Sequence, residues 1–91
     1  MNLRQLFSEI LPDNRLPETQ VTSVTCDSRQ VQRGSVFVCV RGSRGDGHNH
    51  VAQALERGAA LVVAQTDCGI PNQLLFADTR EAYSRLCAAF F

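Results

Sequence analysis

Two uninterrupted apolar runs constrain the fold of this chain more than any other feature. The first covers residues 36–40 and reads Val-Phe-Val-Cys-Val, and the second covers residues 60–64. A short run without polar positions is typical of a strand that is covered on both faces. A helical pattern lies between the runs at residues 50–57, and Gly58 is placed to end it. This order predicts a βαβ unit in an α/β domain.

Further segments extend this unit on both sides. Apolar and β-branched residues predict strands over residues 21–26 and 74–77. Helical spacing predicts a helix over residues 2–10, and a last helix follows Asp78. We therefore expect a small mixed or mostly parallel sheet with flanking helices. The residues placed to form capping boxes are Asn2 with Gln5 and Asp78 with Glu81.

Size and composition indicate one small globular domain. The chain has 91 residues, of which 44% are hydrophobic and 20% are charged. Nine basic residues, all of them Arg, balance nine acidic ones, so we expect neither a nucleic acid nor a membrane as partner. Because the chain contains no Lys, it cannot form a Schiff base or supply the lysine of a phosphate-binding loop.

The cysteines are predicted to be buried free thiols of a cytoplasmic protein. Two of them, Cys26 and Cys39, lie in apolar, strand-like runs, and no C-x-x-C pair occurs. The even number leaves a disulfide framework open as the alternative. The chain opens without an apolar signal segment, and no apolar run is as long as a membrane span. The remaining cysteines are Cys68 and Cys87.

The glycine-rich residues 41–49 are the strongest candidate for a ligand loop. They follow a buried strand and precede a helix, which is where α/β sheets bind ligands. Glycines allow the backbone to approach an anion, and Arg41 and Arg44 could grip a phosphate through paired N–H donors. The alternative is a loop that only turns the chain, since it matches neither G-x-G-x-x-G nor G-x-x-x-x-G-K-[ST].

Two smaller motifs each allow a structural and a functional interpretation. Asp27 and Ser28 follow the first predicted strand, where they could cap the local backbone, or Ser28 could hydrogen-bond the edge of a base. His48 and His50 lie near Asp46, but no third ligand stands at a familiar spacing. We therefore expect helix capping here and no metal site.

The residues form no recognisable catalytic set, and the last of them, Phe90 and Phe91, stand within a helical pattern. We expect the chain to be part of a longer polypeptide whose other domains carry the chemistry.

A combined pattern along the chain resembles the Mur ligase family. It consists of Asp27-Ser28-Arg29, residues 34–38, Gly42, Asp46-Gly47-His48 and residues 54–59. In order and spacing it is similar to the amino-terminal domain of those Mur ligases that add the third and later residues of the cell-wall precursor peptide. Residues 2–7 resemble the ligase that adds diaminopimelate or lysine to UDP-N-acetylmuramoyl-alanyl-glutamate. The ligase that adds the terminal dipeptide is the close alternative.

The resemblance implies a division of labour between domains. The first domain would bind the uridine diphosphate end of the UDP-N-acetylmuramoyl-peptide substrate and pack against the central domain of the same polypeptide. ATP and magnesium would bind that central domain, so the present chain would hold no cofactor and would be inactive alone. By position, Cys26 and Ser28 would face the uracil and ribose, and Ser43, Arg44 and Gly45 would close on the nucleotide. A non-catalytic interaction module and a metal-binding regulator are the competing hypotheses.

Overall fold

The computed structural model describes residues 1–42 and 45–91, which form one α/β unit. Two short 3-10 helices, Ser28–Gln30 and Gly47–His50, accompany the regular elements. In chain order these elements are α1 (Leu3–Leu6), β1 (Ser23–Thr25), β2 (Ser35–Val38), β3 (Arg41–Gly42), β4 (Gly45–Asp46), α2 (Val51–Glu56), β5 (Leu61–Ala64), β6 (Gln73–Leu75) and α3 (Thr79–Phe90).

The main sheet has four parallel strands in the order β1-β2-β5-β6. Val36 of β2 lies opposite Val24 on one side and Leu61 on the other. The predicted α/β class with a mostly parallel sheet is therefore confirmed. Because all four strands run in one direction, their carboxyl ends meet at the same edge, where the connecting segments can form a ligand site.

The central strands separate two hydrophobic cores. Every residue of β2 and β5 is buried, as their continuous apolar runs predicted. Side chains alternate between the faces, so that Val36 and Val38 pack with α1 and α3, while Phe37 packs with α2. The first core contains Leu3, Leu6, Phe7, Val21, Val24, Val36, Val38, Leu61, Val63, Ala82 and Leu86. The second contains Val31, Phe37, Cys39, Val51, Ala54, Ala59, Val62 and Ala64.

Helix α1 is shorter than the predicted span of residues 2–10. Its capping box forms as predicted, with Asn2 and Gln5 bonded reciprocally. The helix ends after Leu6. The Phe7 N–H still bonds the Leu3 carbonyl four residues back, but the Ser8 N–H bonds the Gln5 carbonyl three residues back, so the chain tightens into turns. The apolar stripe continues through these turns, which explains why periodicity alone overestimated the helix.

The predicted loop of residues 41–49 contains regular structure that the sequence did not indicate. Strands β3 and β4 form a two-residue antiparallel ladder, here called the β3–β4 hairpin. The second 3-10 helix follows directly and leads into α2. Strands of two residues carry no detectable periodicity, so β3 and β4 could not be predicted from the sequence pattern.

The predicted end of α2 and the predicted start of α3 agree with the structure. Gly58 follows α2 with φ of 98°, and Asp78 accepts a hydrogen bond from the Glu81 N–H at the start of α3. The Glu81 carboxylate lies 3.9 Å from Arg85 and does not complete the predicted capping box. The strands of the main sheet are each one to three residues shorter than predicted, because their ends turn into connecting segments.

All four cysteines are free thiols, but the prediction of burial is correct only for Cys39, since Cys68 and Cys87 are half-buried and Cys26 is exposed. Cys39 is fully buried, whereas Cys26 is exposed, because β1 ends at Thr25 and the chain leaves the sheet. None of the described helices is long and apolar enough to cross a membrane.

Candidate functional site

A cleft of about 600 Å³ opens at the carboxyl edge of the sheet, beside the ends of β1 and β2. The segment after β1 forms one wall, the β3–β4 hairpin forms another, and α2 and α3 each contribute a side chain. The lining residues are Cys26, Asp27, Ser28, Arg29, Val40, Gly42, Gly45, Asp46, Gly47, His50, Gln53 and Arg80.

Asp27 shapes the segment that follows β1. Its Oδ1 accepts the Arg29 N–H at 2.9 Å and caps the first 3-10 helix. The Arg29 guanidinium also grips both carboxylate oxygens, at 3.1 and 3.0 Å. These side-chain hydrogen bonds, followed by the backbone bond, lower the pKa of the Asp27 carboxyl. The capping interpretation is therefore confirmed for Asp27.

Ser28 has a different role from its neighbour. It is buried, with 7% of its surface exposed, and its hydroxyl donates to Oε1 of Gln53 on α2 at 2.8 Å. The side chain thus joins the segment after β1 to α2 and does not cap the backbone. Since both residues line the cleft, this pair places polar atoms on its wall.

The β3–β4 hairpin is held from both sides. Arg41 Nε donates to Asp46 Oδ2 at 3.1 Å across the ladder. From α3, the Arg80 guanidinium donates to the Arg41 carbonyl oxygen at 2.9 Å. Gly45 stands at the cleft with φ of 123°, a conformation that other residues rarely adopt. Ser43 and Arg44, predicted to close on a nucleotide, lie outside the described residues.

Asp46 and His48 fix the turn between the hairpin and α2. Asp46 Oδ1 accepts both the backbone N–H of His48 at 2.9 Å and the His48 Nδ1 at 2.6 Å. The Gln65 N–H, at the end of β5, donates to His48 Nε2 at 3.0 Å. A backbone N–H only donates, so Nε2 must accept and the ring proton sits on Nδ1. Both ring nitrogens are thus engaged in holding the turn.

This turn explains two residues of the Asp46-Gly47-His48 motif. The N–H of His48, followed by its side chain, lowers the pKa of the Asp46 carboxyl. Gly47 lies so close to β2 that an added Cβ would stand 2.9 Å from both Cys39 Cα and Val40 N. The prediction that the motif serves loop shape and helix capping is confirmed, with Asp46 as the cap in place of the histidines.

The positive charges of the cleft differ from those predicted. Arg41 was expected to grip phosphate but pairs with Asp46. Arg29 and Arg80 line the cleft, Arg29 paired with Asp27 and Arg80 bonded to a backbone carbonyl. Arg80 uses one of its five N–H donors on the Arg41 carbonyl, which orients the guanidinium beside Gly42. An arrangement of two guanidinium groups, exposed glycine backbone and buried polar side chains is suited to binding a phosphate-bearing ligand.

The structure brings three of the predicted site residues together and adds others. Cys26, Ser28 and Gly45 all line the cleft. Gln53 and Arg80 were not predicted as site residues, because each reaches the cleft from a helix far along the chain. Within residues 1–42 and 45–91, no three His, Cys, Asp or Glu side chains are grouped so as to hold a metal ion.

The comparisons with known proteins agree with this fold. The family model described as "Mur ligase family, catalytic domain" matches residues 20–83. UDP-N-acetylmuramyl-tripeptide synthetase 2 of Oceanobacillus iheyensis is 37% identical over all of this chain and 20% of its own length. The UDP-N-acetylmuramoyl-L-alanyl-D-glutamate–2,6-diaminopimelate ligase of Bacillus licheniformis is 40% identical over 81% of this chain and 15% of its own.

A solved structure shares the fold over nearly the whole chain. It is the UDP-N-acetylmuramoylalanyl-D-glutamyl-2,6-diaminopimelate–D-alanyl-D-alanyl ligase of Acinetobacter baumannii, with a TM-score of 0.78 and 29% identity. The match covers 97% of this chain and 21% of that one. The fold and the cleft define an α/β unit with a polar cleft at the carboxyl edge of its sheet. The chain belongs to the Mur ligase family, and it spans about a fifth of the length of the relatives it matches.

Proposed function

We propose that this chain is the amino-terminal domain of a peptidoglycan-precursor ligase and binds the uridine diphosphate end of UDP-N-acetylmuramoyl-alanyl-glutamate. The observation that carries the proposal is the cleft at the carboxyl edge of the sheet, which is lined by both the buried Ser28 and the cationic Arg80. The name of the Bacillus licheniformis relative places UDP-N-acetylmuramoyl-L-alanyl-D-glutamate among the substrates of the family.

The chemistry of the cleft divides the ligand into two parts. Ser28 and Gln53 offer neutral hydrogen-bonding atoms, which suit the uracil base. Arg80 and the backbone of the hairpin offer N–H donors and positive charge, which suit the diphosphate. We propose that Cys26 lies beside the uracil and ribose, and that Ser43, Arg44 and Gly45 close over the nucleotide.

The bond-forming chemistry is assigned to the rest of the polypeptide. The chain lacks lysine, the residue with which phosphate-binding loops hold the β- and γ-phosphates of ATP. We propose that ATP and magnesium bind a central domain, that a further domain supplies the amino acid, and that the enzyme acts in the cytoplasm. This chain would then contribute substrate binding and would be inactive alone.

An NMR titration of the isotopically labelled chain tests the proposal. UDP-N-acetylmuramoyl-alanyl-glutamate is the ligand and ATP is the control. We expect shifts at the amides of Cys26, Ser28, Gly45 and Gln53 with the uridine ligand and none there with ATP. We expect weak affinity, in the range of about millimolar, if binding is shared with another domain. A folded sample whose amides respond equally to both ligands, or to neither, would contradict the proposal and favour an interaction module.

The ligase that adds the terminal dipeptide is a second candidate. The fold match to the D-alanyl-D-alanyl ligase of Acinetobacter baumannii favours it. The two candidates share a uridine diphosphate end, so this chain would bind either substrate. They are distinguished by an assay of the full polypeptide, in which either diaminopimelate or lysine, or else D-alanyl-D-alanine, is consumed with ATP.

A further inference from the structure

The hydrogen bond between Ser28 and Gln53 determines what the Ser28 hydroxyl can offer a ligand. A serine hydroxyl has one proton and two lone pairs. Here the proton is directed to Oε1 of Gln53, at 2.8 Å. The Oγ atom therefore presents only lone pairs to the cleft and acts there as an acceptor. The burial of Ser28 strengthens this constraint, because little water is available to compete for the hydroxyl.

The amide of Gln53 adds the complementary atoms. With its oxygen bonded to Ser28, its nitrogen offers two N–H donors beside the same wall. The pair thus combines an acceptor with neighbouring donors. Uracil carries the opposite pattern, an N3–H donor between two carbonyl oxygens. Cytosine carries an unprotonated N3 and an amino group. Its N3 acceptor would face the Ser28 acceptor, and its amino donor would face the Gln53 donors.

We propose that Gln53 is a positioning residue that makes the cleft selective for uracil over cytosine, by holding the Ser28 hydroxyl as an acceptor. The inference rests on the proposed function, since it requires the base of a uridine nucleotide to lie at Ser28. Polar groups that would be left without partners by the wrong ligand are an effective source of discrimination. Without Gln53, the Ser28 hydroxyl could rotate and donate to N3 of cytosine.

The test compares the affinities of UDP and CDP by NMR titration of the chain and three variants. We expect the unsubstituted chain to prefer UDP by about tenfold or more, equivalent to about 1.4 kcal/mol. In Gln53→Leu, which has a similar size and no acceptor, the ratio should fall towards one. In Gln53→Glu, the carboxylate still accepts the Ser28 proton but no longer offers N–H donors, so the UDP preference should lie between those of the unsubstituted chain and of Gln53→Leu.

A matched control and a folding check complete the experiment. Gln32→Leu makes the same change at an exposed position outside the cleft lining and should leave the ratio unchanged. A Gln53→Leu variant with the original ratio, or a folded Gln53→Glu variant whose ratio is no higher than that of Gln53→Leu, would overturn the role of Gln53 alone. An unsubstituted chain without any preference for uridine ligands would instead overturn the proposed function, and this inference with it.

Discussion

Ser28 illustrates how a single residue can join two elements and still face a ligand. Its hydroxyl bonds Gln53 of α2, while the residue lines the cleft. If the Ser28 hydroxyl were removed, the amide oxygen of Gln53 would lose its hydrogen-bond donor. Ligand affinity and packing are therefore both expected to depend on this position.

We predict that Ser28→Ala weakens the binding of UDP by about 1–2 kcal/mol, the usual scale for one buried polar contact. The reason is the loss of the Oγ acceptor from the cleft wall. Titration calorimetry or NMR titration would measure the change, with Ser84→Ala, an exposed serine of α3, as the matched control. Equal affinity in both folded variants would show that Ser28 does not contact the ligand.

Local sequence could identify some site residues and not others. Ser28 and the glycine-rich loop with Gly45 were predicted from short motifs next to predicted strand ends, and Cys26 from the family resemblance. Gln53 was not, because its bond to Ser28 joins residues 25 positions apart. The exposure of Cys26 was also misjudged, since an apolar run does not reveal where a strand leaves the sheet.

Among the elements, the β3–β4 hairpin depends on contacts from outside itself. Its ladder spans two residues on each side, too few to be stable alone in water. Asp46 anchors it to the following 3-10 helix, and Arg80 anchors it to α3. The hairpin should therefore respond to changes in either residue.

We predict that acid weakens the fold partly through Asp46. Its pKa is lowered in the folded state, so its ionised form stabilises the protein above the ordinary value of 3.8 and the contribution is lost as the pH falls through the lowered pKa. Urea unfolding at about pH 7 and about pH 3 would show a smaller difference for Asp46→Asn than for the original chain. The acid dependence that remains in Asp46→Asn should come partly from Asp27 and Asp67, whose pKa values are also lowered.

We predict that Arg80→Ala loosens the hairpin and weakens UDP binding by about 1.5–3 kcal/mol, the range for hydrogen bonds to charged groups. The Arg41 carbonyl would lose its partner, and the cleft would lose a cation. Hydrogen exchange at the hairpin amides and a UDP titration would measure the two effects. Arg85→Ala, on the same helix and 3.9 Å from Glu81, is the control and should leave both unchanged.

The predictability of elements followed the strength of their local signal. β2 and β5 were located because continuous apolar runs indicate burial on both faces. The predicted length of α1 was too great, because the apolar stripe continues beyond the last helical hydrogen bond. The hairpin was missed because it is held by Arg80, which no nearby pattern could reveal.

At the scale of the whole molecule, the sheet separates two cores whose integrity can be followed through the cysteines. Cys39 belongs to the core against α2 and is fully buried, whereas Cys26 lies exposed at the cleft. Burial raises the pKa of the Cys39 thiol to about 12, so its reactive thiolate is scarce in the folded state.

We predict that iodoacetamide modifies Cys26 rapidly and Cys39 only when the whole domain opens. The rate at Cys39 should follow the urea dependence of global unfolding, as expected for a group in the most stable part of a fold. Mass spectrometry of proteolytic fragments would measure both rates. Bound UDP should slow the reaction at Cys26 by covering the thiol and at Cys39 by stabilising the native state. Equal rates at the two thiols in the native chain would contradict the burial of Cys39.

The separation of cleft from core has a consequence for how such a domain can diversify. Apart from Val40, which packs against the first core, the residues that line the cleft belong to neither of the two cores. Mutation and selection, or a combinatorial library at Cys26, His50 and Gln53, could therefore retune ligand preference while the two cores stay unchanged. Ligand specificity and hydrophobic packing are therefore encoded by largely different residues of this chain.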